Sequence, residues 1–432
     1  MKRCSVGLMG TTFSVLVLAA SPAEAQNLVQ NGGFDRTISS WSSSTSEISW
    51  SSDDWNRQPG SGSLSLRHTG TTANGYASVG QCLPSQPGKG YSFVLRARIV
   101  EATGGARGGV EAGVHFFSGT DCRGWLAGSD NRWVELSSSW TGVAYPFLIF
   151  PSAVSVAPAG TRSVLVNVNA VKLTAAGALT FRIDDAYFAE AKPTVLTIPA
   201  SASARGENDT FFQTDLWLGV ASSRADVPVA VLGEHRCFPG QTCTGRMHYW
   251  TDVLPRSFTR TVDTVGTLFK DPSTSGAIEL TYDASISTIA AMSRTYSPSL
   301  PAPTTGTAIP ALPASEARTR SLLIGLSASG GDRSSGFRTN VGAYNPGNAS
   351  AEVTVRLYDA AGRTIGSPIE RTVGPREPMQ INEVFGEAGV GHLLTNEAHA
   401  VVTSTRPVFA FATVIDNRSA DSIYVPGAPD AP

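Results

Sequence analysis

The segment FQTDLWLGV, from Phe212, returns as FRTNVGAYN from Phe337. Three more matches follow in the same order: YWTDVL from Tyr249 with QINEVF from Gln380, AIELTYDASISTIAAMSRTYS with AHAVVTSTRPVFAFATVIDNRS, and AIPALP with SIYVPGAP. Ordered matches of this kind mark a duplicated unit, and each copy, at roughly 95 residues, has the size of an immunoglobulin-like sandwich. The aromatic-rich first half lacks the signature and must be a module of another kind.

The local pattern is that of strands. In SLSLRHTG, Leu64 and Leu66 share one face and Ser65 and Arg67 the other; in YSFVLRARIV, Phe93, Leu95, Ala97 and Ile99 oppose Arg96 and Arg98. VEAGVHFF repeats the alternation, with Val110, Ala112, Val114 and Phe116 inward and Glu111 and His115 outward. A period of two describes a sheet with one buried and one wet face. With 43 Gly and 26 Pro punctuating such runs, and 16% charged residues, long helices have no support. The expectation is an all-β chain, a first β-module followed by two immunoglobulin-like β-sandwich repeats.

Residues 1–25 read as a secretory leader: Met1, Lys2 and Arg3, an apolar stretch through SVLVLAA, then Ala23 and Ala25 at a cleavage site before Gln26. The apolar core is too short to span a bilayer, so an exported protein without a membrane span is expected. The remaining residues divide at two seams, giving a first module over 26–190, a linker over 191–209, a first repeat over 210–296, a Pro-rich linker over 297–319 and a second repeat over 320–432. A net charge of -2 offers no general attraction to nucleic acid. Four cysteines survive removal of the leader, and in an oxidising compartment they pair as Cys82 with Cys122 and Cys237 with Cys243. HRCFPGQTCTGRMH also offers His235, Cys237, Cys243 and His248 as a zinc set, but the spacing matches no common zinc module, and a disulfide around a Pro-Gly turn is simpler.

Residues 27–190 carry NLVQNGGFD, a tryptophan soon after (Trp41), GSLSL, GKGYSFVLRARI, SSSWTGV and a terminal FRIDDAYF. In these motifs the first module resembles the β-sandwich carbohydrate-binding modules attached to cellulases and xylanases, the CenC-like group. The resemblance implies a jelly roll, a polysaccharide or cell-surface glycan as partner, and a structural Ca2+ held by Asp35 and by Asp184 or Asp185. It also places Trp41 and Trp140 in the core. The repeats more weakly resemble sandwich repeats of secreted bacterial proteins.

Six of the eight tryptophans, Trp41, Trp50, Trp55, Trp125, Trp133 and Trp140, fall in this module. Flat aromatic faces cover the C–H patches of pyranose rings. Trp50 shares strand parity with Ile48 and reads as buried, whereas Trp55 and Trp125 sit in polar loops, the places for sugar-stacking rings. Arg96, Arg98, Glu111 and His115 are read as one outward set able to bind hydroxyls or a uronic carboxylate, or else a solvated face of cross-strand pairs. No G-x-S-x-G elbow, H-E-x-x-H or phosphate-binding glycine loop occurs. The leading expectation is a secreted, non-catalytic glycan binder whose repeats act as spacers or adhesive modules. A structural or adhesion protein with no sugar site, and an accessory of a polysaccharide-degrading enzyme, are the alternatives.

Overall fold

The computed structural model describes residues 26–43, 47–128, 132–145, 156–206, 210–223, 229–244, 247–250, 257–297 and 306–430. The expected leader lies outside the described residues. Nearly all the regular structure is strand, arranged as three sandwiches in succession.

The first sandwich uses β1 (Glu47–Ser51), β2 (Ser63–His68), β3 (Gly75–Pro84), β4 (Tyr91–Ala102), β5 (Gly108–Phe117), β6 (Trp125–Gly128), β7 (Arg132–Glu135), β8 (Thr141–Tyr145), β9 (Ser163–Lys172) and β10 (Leu179–Glu190). One sheet runs β1-β2-β10-β4-β8 and the other β3-β9-β5-β6, with β7 also on β5. Crossovers between the sheets make this a jelly roll. The residues that alternation assigns inward, Leu64, Leu66, Phe93, Leu95, Ala97, Ile99, Val110, Ala112, Val114 and Phe116, all lie in one core with Phe181, Ile183 and Phe188. Trp41 joins that core with its ring against Phe34 at 5.5 Å. Trp50 keeps core parity but remains 38% exposed, its Nε1 donating to the Phe34 carbonyl. Trp140 is no core residue: its ring sits under the Arg98 guanidinium, 4.9 Å from the ring centre, on the outside of the first sheet.

The second sandwich uses β11 (Pro193–Arg205), β12 (Phe211–Ser223), β13 (Val231–Cys237), β14 (Met247–Trp250), β15 (Phe258–Thr261), β16 (Thr274–Asp283), β17 (Ser287–Tyr296), β18 (Thr307–Pro310) and β19 (Leu312–Pro313). The third uses β20 (Arg318–Ser329), β21 (Phe337–Asn345), β22 (Ala351–Tyr358), β23 (Thr364–Val373), β24 (Glu377–Ile381), β25 (Leu394–Asp416), β26 (Ser422–Pro426) and β27 (Ala428–Pro429). The pairings of one recur in the other: β12 with β15 and β17 answers β21 with β24 and β25, β13 with β14 and β16 answers β22 with β23 and β25, and β11 with β19 answers β20 with β27. The 23-residue β25 replaces both β16 and β17. A shared hydrogen-bonding plan of this detail establishes the duplication.

Three expectations need correction. The segment 191–209 is not a linker, because β11 pairs with β16 through the middle of the second sheet. Its proline, Pro193, is tolerated because it opens the strand. The Pro-rich stretch likewise contributes β18 and β19, short edge strands that pair with β17 and β11; its residues 298–305 lie outside the described residues. The match of YWTDVL with QINEVF is out of register. The structural partner of INEVF is TVDTV, where Asp263 (φ 45°, ψ 57°) and Glu383 (φ 50°, ψ 63°) each open a helical turn from a left-handed cap. Val265 and Phe385, both buried, follow at the same offset.

The sandwiches are in contact. Val94, Tyr187 and Ala189 of the first pack into the apolar core of the second, where Ser92 Oγ donates to Asp283 Oδ2 at 2.6 Å. Between the second and third, buried Glu279 receives Tyr344 Oη, Arg376 and Arg236, and Arg376 also reaches Glu234 Oε2 at 3.0 Å.

Candidate functional site

The outer faces of the two sheets of the first sandwich differ in what they present. On the β3-β9-β5 sheet, cross-strand register lines up Ser78, Asn169, Glu111 and Trp133 in one row. The next row is Gly80, Asn167 and Gly113, and the one beyond holds Cys82, Leu165, His115 and Gly128. Asn167 therefore rises alone from a row otherwise of glycine. The two flanking rows stand about 13 Å apart, four residues at about 3.3 Å each, and they frame a trough that crosses the strands.

Its polar groups are tied together. Ser78 Oγ donates to Asn169 Oδ1 at 2.7 Å, and Asn167 Nδ2 donates to the same oxygen at 3.0 Å. Asn167 Oδ1 is buried on the His115 side of this group. Burial pushes the His115 imidazole below the usual histidine value against an opposing hydrogen bond with Asn167, which keeps the ring neutral near pH 7. Two glycines set the positions of the rings. A Cβ on Gly109 would lie 2.8 Å from the Trp133 ring, and one on Gly128 would lie 2.7 Å from His115 Nδ1, so each ring lies across a bare neighbouring backbone. Aromatic rings border the face: Tyr76 is 64% exposed, Trp125 65% and Trp133 37%. The Cys82–Cys122 disulfide crosses the same side and ties the loop leading to Trp125 onto β3.

The other sheet is closed. Loop residue Trp55 lies half-buried with one face covered by Arg96, whose guanidinium carbon is 3.6 Å from the ring centre. Arg96 is only 2% exposed. Arg98 pairs with Asp53, which also attracts Arg182 Nε at 3.8 Å. The expected outward set is thus split by the fold. Arg96, Arg98 and Trp55 belong to a covered ionic layer on one sheet, whereas Glu111, His115 and Trp125 lie on the opposite sheet. Alternation fixes the face within a strand but not the sheet to which the strand belongs.

Beneath Arg96 sits an acidic cluster. Asp184 is fully buried, accepting from the backbone N–H of Trp55 at 3.1 Å and of Asp185 at 2.8 Å. Burial first, and then repulsion from Asp185, pushes its carboxyl up to about 9. Asp185 Oδ2 lies 3.5 Å from Arg96 Nε. Asp54 is also buried, with Oδ1 lacking a hydrogen-bond partner. Asp35 is not brought here: it is exposed, and its backbone N–H bonds Asn31 Oδ1.

Both expected disulfides are formed, Cys82–Cys122 and Cys237–Cys243. His248 of the zinc set packs edge-on against Trp250 instead, and the side chain that joins His235 and the two sulfurs is Asp271.

Sequence reasoning passed over Ser78, Tyr76, Asn167 and Asn169 and assigned Trp133 no role. The signal was present for the asparagines: in SVLVNVNAVK the inward Val164, Val166, Val168 and Ala170 leave Asn167 and Asn169 on the outer face, where both are nonetheless buried.

No family model matches the chain, and no curated protein matches it. Among solved structures, the enzymatically active domain of bacteriophage CBA120 tailspike protein 4 matches 38% of this chain at 19% identity and a TM-score of 0.29, over 21% of its own length. A CBM4 structure matches 36% of this chain at 15% identity and TM-score 0.27, over 99% of its own length. The C-terminal family 22 carbohydrate-binding module of Clostridium thermocellum Xyn10B matches 39% at 19% identity and TM-score 0.28, over 96% of its own length. At TM-scores this low the likeness carries no functional weight, and the site itself must.

Proposed function

We propose that the first sandwich binds a polysaccharide or glycan, without catalysis, across the outer face of its β3-β9-β5 sheet. The observation that carries this reading is the pairing of a glycine-floored trough, in which Asn167, Asn169, Ser78, Glu111 and His115 offer hydroxyl partners, with exposed aromatic rings at its borders. Sugars need both: amides and carboxylates for hydroxyls, flat rings for C–H faces. The two repeats then serve as spacer or adhesive modules behind it, and two disulfides suit export to an oxidising compartment.

A structural Ca2+ belongs to the same reading, with a changed ligand set. Asp184, Asp185 and Asp54 are buried or half-buried acids that offer the oxygen ligands a hard cation takes. The ion would take the place of the proton that Asp184 otherwise holds.

The test is binding of the full chain to a panel of plant and microbial polysaccharides. If a stacked ring covers about 60 Å² of apolar sugar surface, about 1.5 kcal/mol follows at about 25 cal/mol per Å², so Trp125→Ala or Tyr76→Ala should weaken binding about tenfold. Thermal unfolding should be unchanged, because an exposed ring leaves no cavity. Absence of binding across the panel favours a structural role; binding that survives these changes but needs Trp55 would move the site to the other sheet.

A further inference from the structure

His235, Cys237, Cys243 and Asp271 place one ligand atom each within 4.8 Å of all the others. His235 and Asp271 are 2% and 1% exposed. From His235 Nδ1, Asp271 Oδ2 is 3.2 Å away, Cys237 Sγ 3.7 Å and Cys243 Sγ 3.9 Å. A tetrahedral zinc centre with bonds of about 2.3 Å to sulfur and about 2.0 Å to nitrogen or oxygen has N–S edges of about 3.5 Å and N–O edges of about 3.3 Å. The three separations from His235 are already close to those values. The two sulfurs are bonded to each other, so that edge is too short, and the Asp271–sulfur separations lie within 4.8 Å.

We infer that these four residues form a zinc site when the Cys237–Cys243 bond is reduced, so that disulfide and metal are alternative occupants of one position. Thr244 N–H donates to Asp271 Oδ1 at 2.7 Å, leaving Oδ2 for the metal, and the His235 ring stacks on Phe269. Both cysteines are partly exposed, so a reductant can reach them. In the exchange, a dithiol gives two electrons and two protons to the disulfide and leaves as its own disulfide. Zn2+ then binds the two sulfurs as thiolates, releasing two protons to water, with His235 neutral and Asp271 ionised. A small-molecule disulfide reverses the step by taking the two electrons and freeing the metal.

Cobalt is the direct probe, since thiolate ligation in a tetrahedral site gives charge-transfer and visible bands. The full chain, reduced by a phosphine and freed of reductant, should take up one Co2+ with those bands and exchange it for Zn2+, while the oxidised chain takes up none at this position. The double change Cys237→Ser with Cys243→Ser should abolish the bands even though Cys82 and Cys122 are reduced. Asp271→Asn should weaken uptake by more than about tenfold, and Asp271→Cys should retain it. Bands absent from the reduced chain, equal in the oxidised chain, or persisting in the double-serine variant would each overturn the inference. Undiminished uptake in Asp271→Asn would remove the carboxylate and with it this tetrad. If an Asp271 variant loses its β-sheet circular dichroism, the wild-type comparison of oxidised with reduced chain decides.

Discussion

Two tryptophans in similar polar loops meet different fates at the residue scale. Trp125 lies on an edge strand with its ring in water, while Trp55 is clamped by a buried arginine. Trp55→Ala should therefore cost stability, about 2 kcal/mol for a desolvated cation–π contact plus lost packing, and leave glycan affinity within about twofold; chemical denaturation beside a binding assay separates the two effects. Asp184 makes a prediction about pH. Its folded-state value of about 9 lies above the ordinary carboxyl value of 3.8, so the native state holds a proton that the unfolded chain releases. The stability it contributes is then complete below about pH 4 and declines as the pH climbs toward 9. Asp184→Asn, which mimics the protonated acid, should flatten that slope in melting curves. Calcium must displace the same proton, so added Ca2+ should raise the melting temperature more at pH 8 than at pH 5, with chelator reversing the gain. Equal melts with calcium and chelator at both values would remove the ion from this cluster.

A face rather than a residue is the working unit at the scale of elements. The middle row of the β3-β9-β5 sheet is glycine on either side of Asn167, and the second sandwich packs against the other sheet, through Val94 and Tyr187. Cys82–Cys122 holds the loop before β6 against this face across a sequence separation of 40. Replacing both cysteines by serine should cost about 4 kcal/mol by the loop-entropy argument. It should also weaken glycan binding, because Trp125 follows directly after that loop. A variant that loses stability but keeps full affinity would show that Trp125 is positioned by β6 alone. The corrected register of the repeats belongs to this scale too. Asp263 and Glu383 are unlike residues doing one job at a left-handed turn, so letter matching favoured the more similar but displaced YWTDVL.

The contact between the two repeats is decided at the scale of the whole molecule. Glu279 is 3% exposed and takes Tyr344, Arg236 and Arg376, of which Tyr344 and Arg376 come from the third sandwich. Burial and the adjacent Glu279 carboxylate push the Tyr344 phenol up, so it stays protonated and donates. Arg376→Ala removes one of two guanidiniums from a buried carboxylate and should cost roughly 2 kcal/mol of the stability of the paired repeats. A melt in which the two repeats part into separate transitions is the expected signature; an unchanged melt would assign the contact no energetic role.

The all-β class, the duplication, the inward faces of individual strands and both cysteine pairs were legible in the chain, because each depends on local periodicity or on the order of residues along it. The seams were misread for the same reason. Pro193 and the prolines of the second stretch mark places where a ladder can begin or end, and whether the strand beside them finds a partner depends on β16 and β17, far along the chain. Arg96, Arg98, Glu111 and His115 looked like one set since they share outward parity, yet only strand pairing decides that β4 and β5 belong to opposite sheets. The same holds for Asp271, which joins His235 and the two sulfurs across a separation of 36 residues. Side-chain alternation is a property of neighbours in sequence, whereas a site is made by neighbours in space, and long-range pairing alone brings those together.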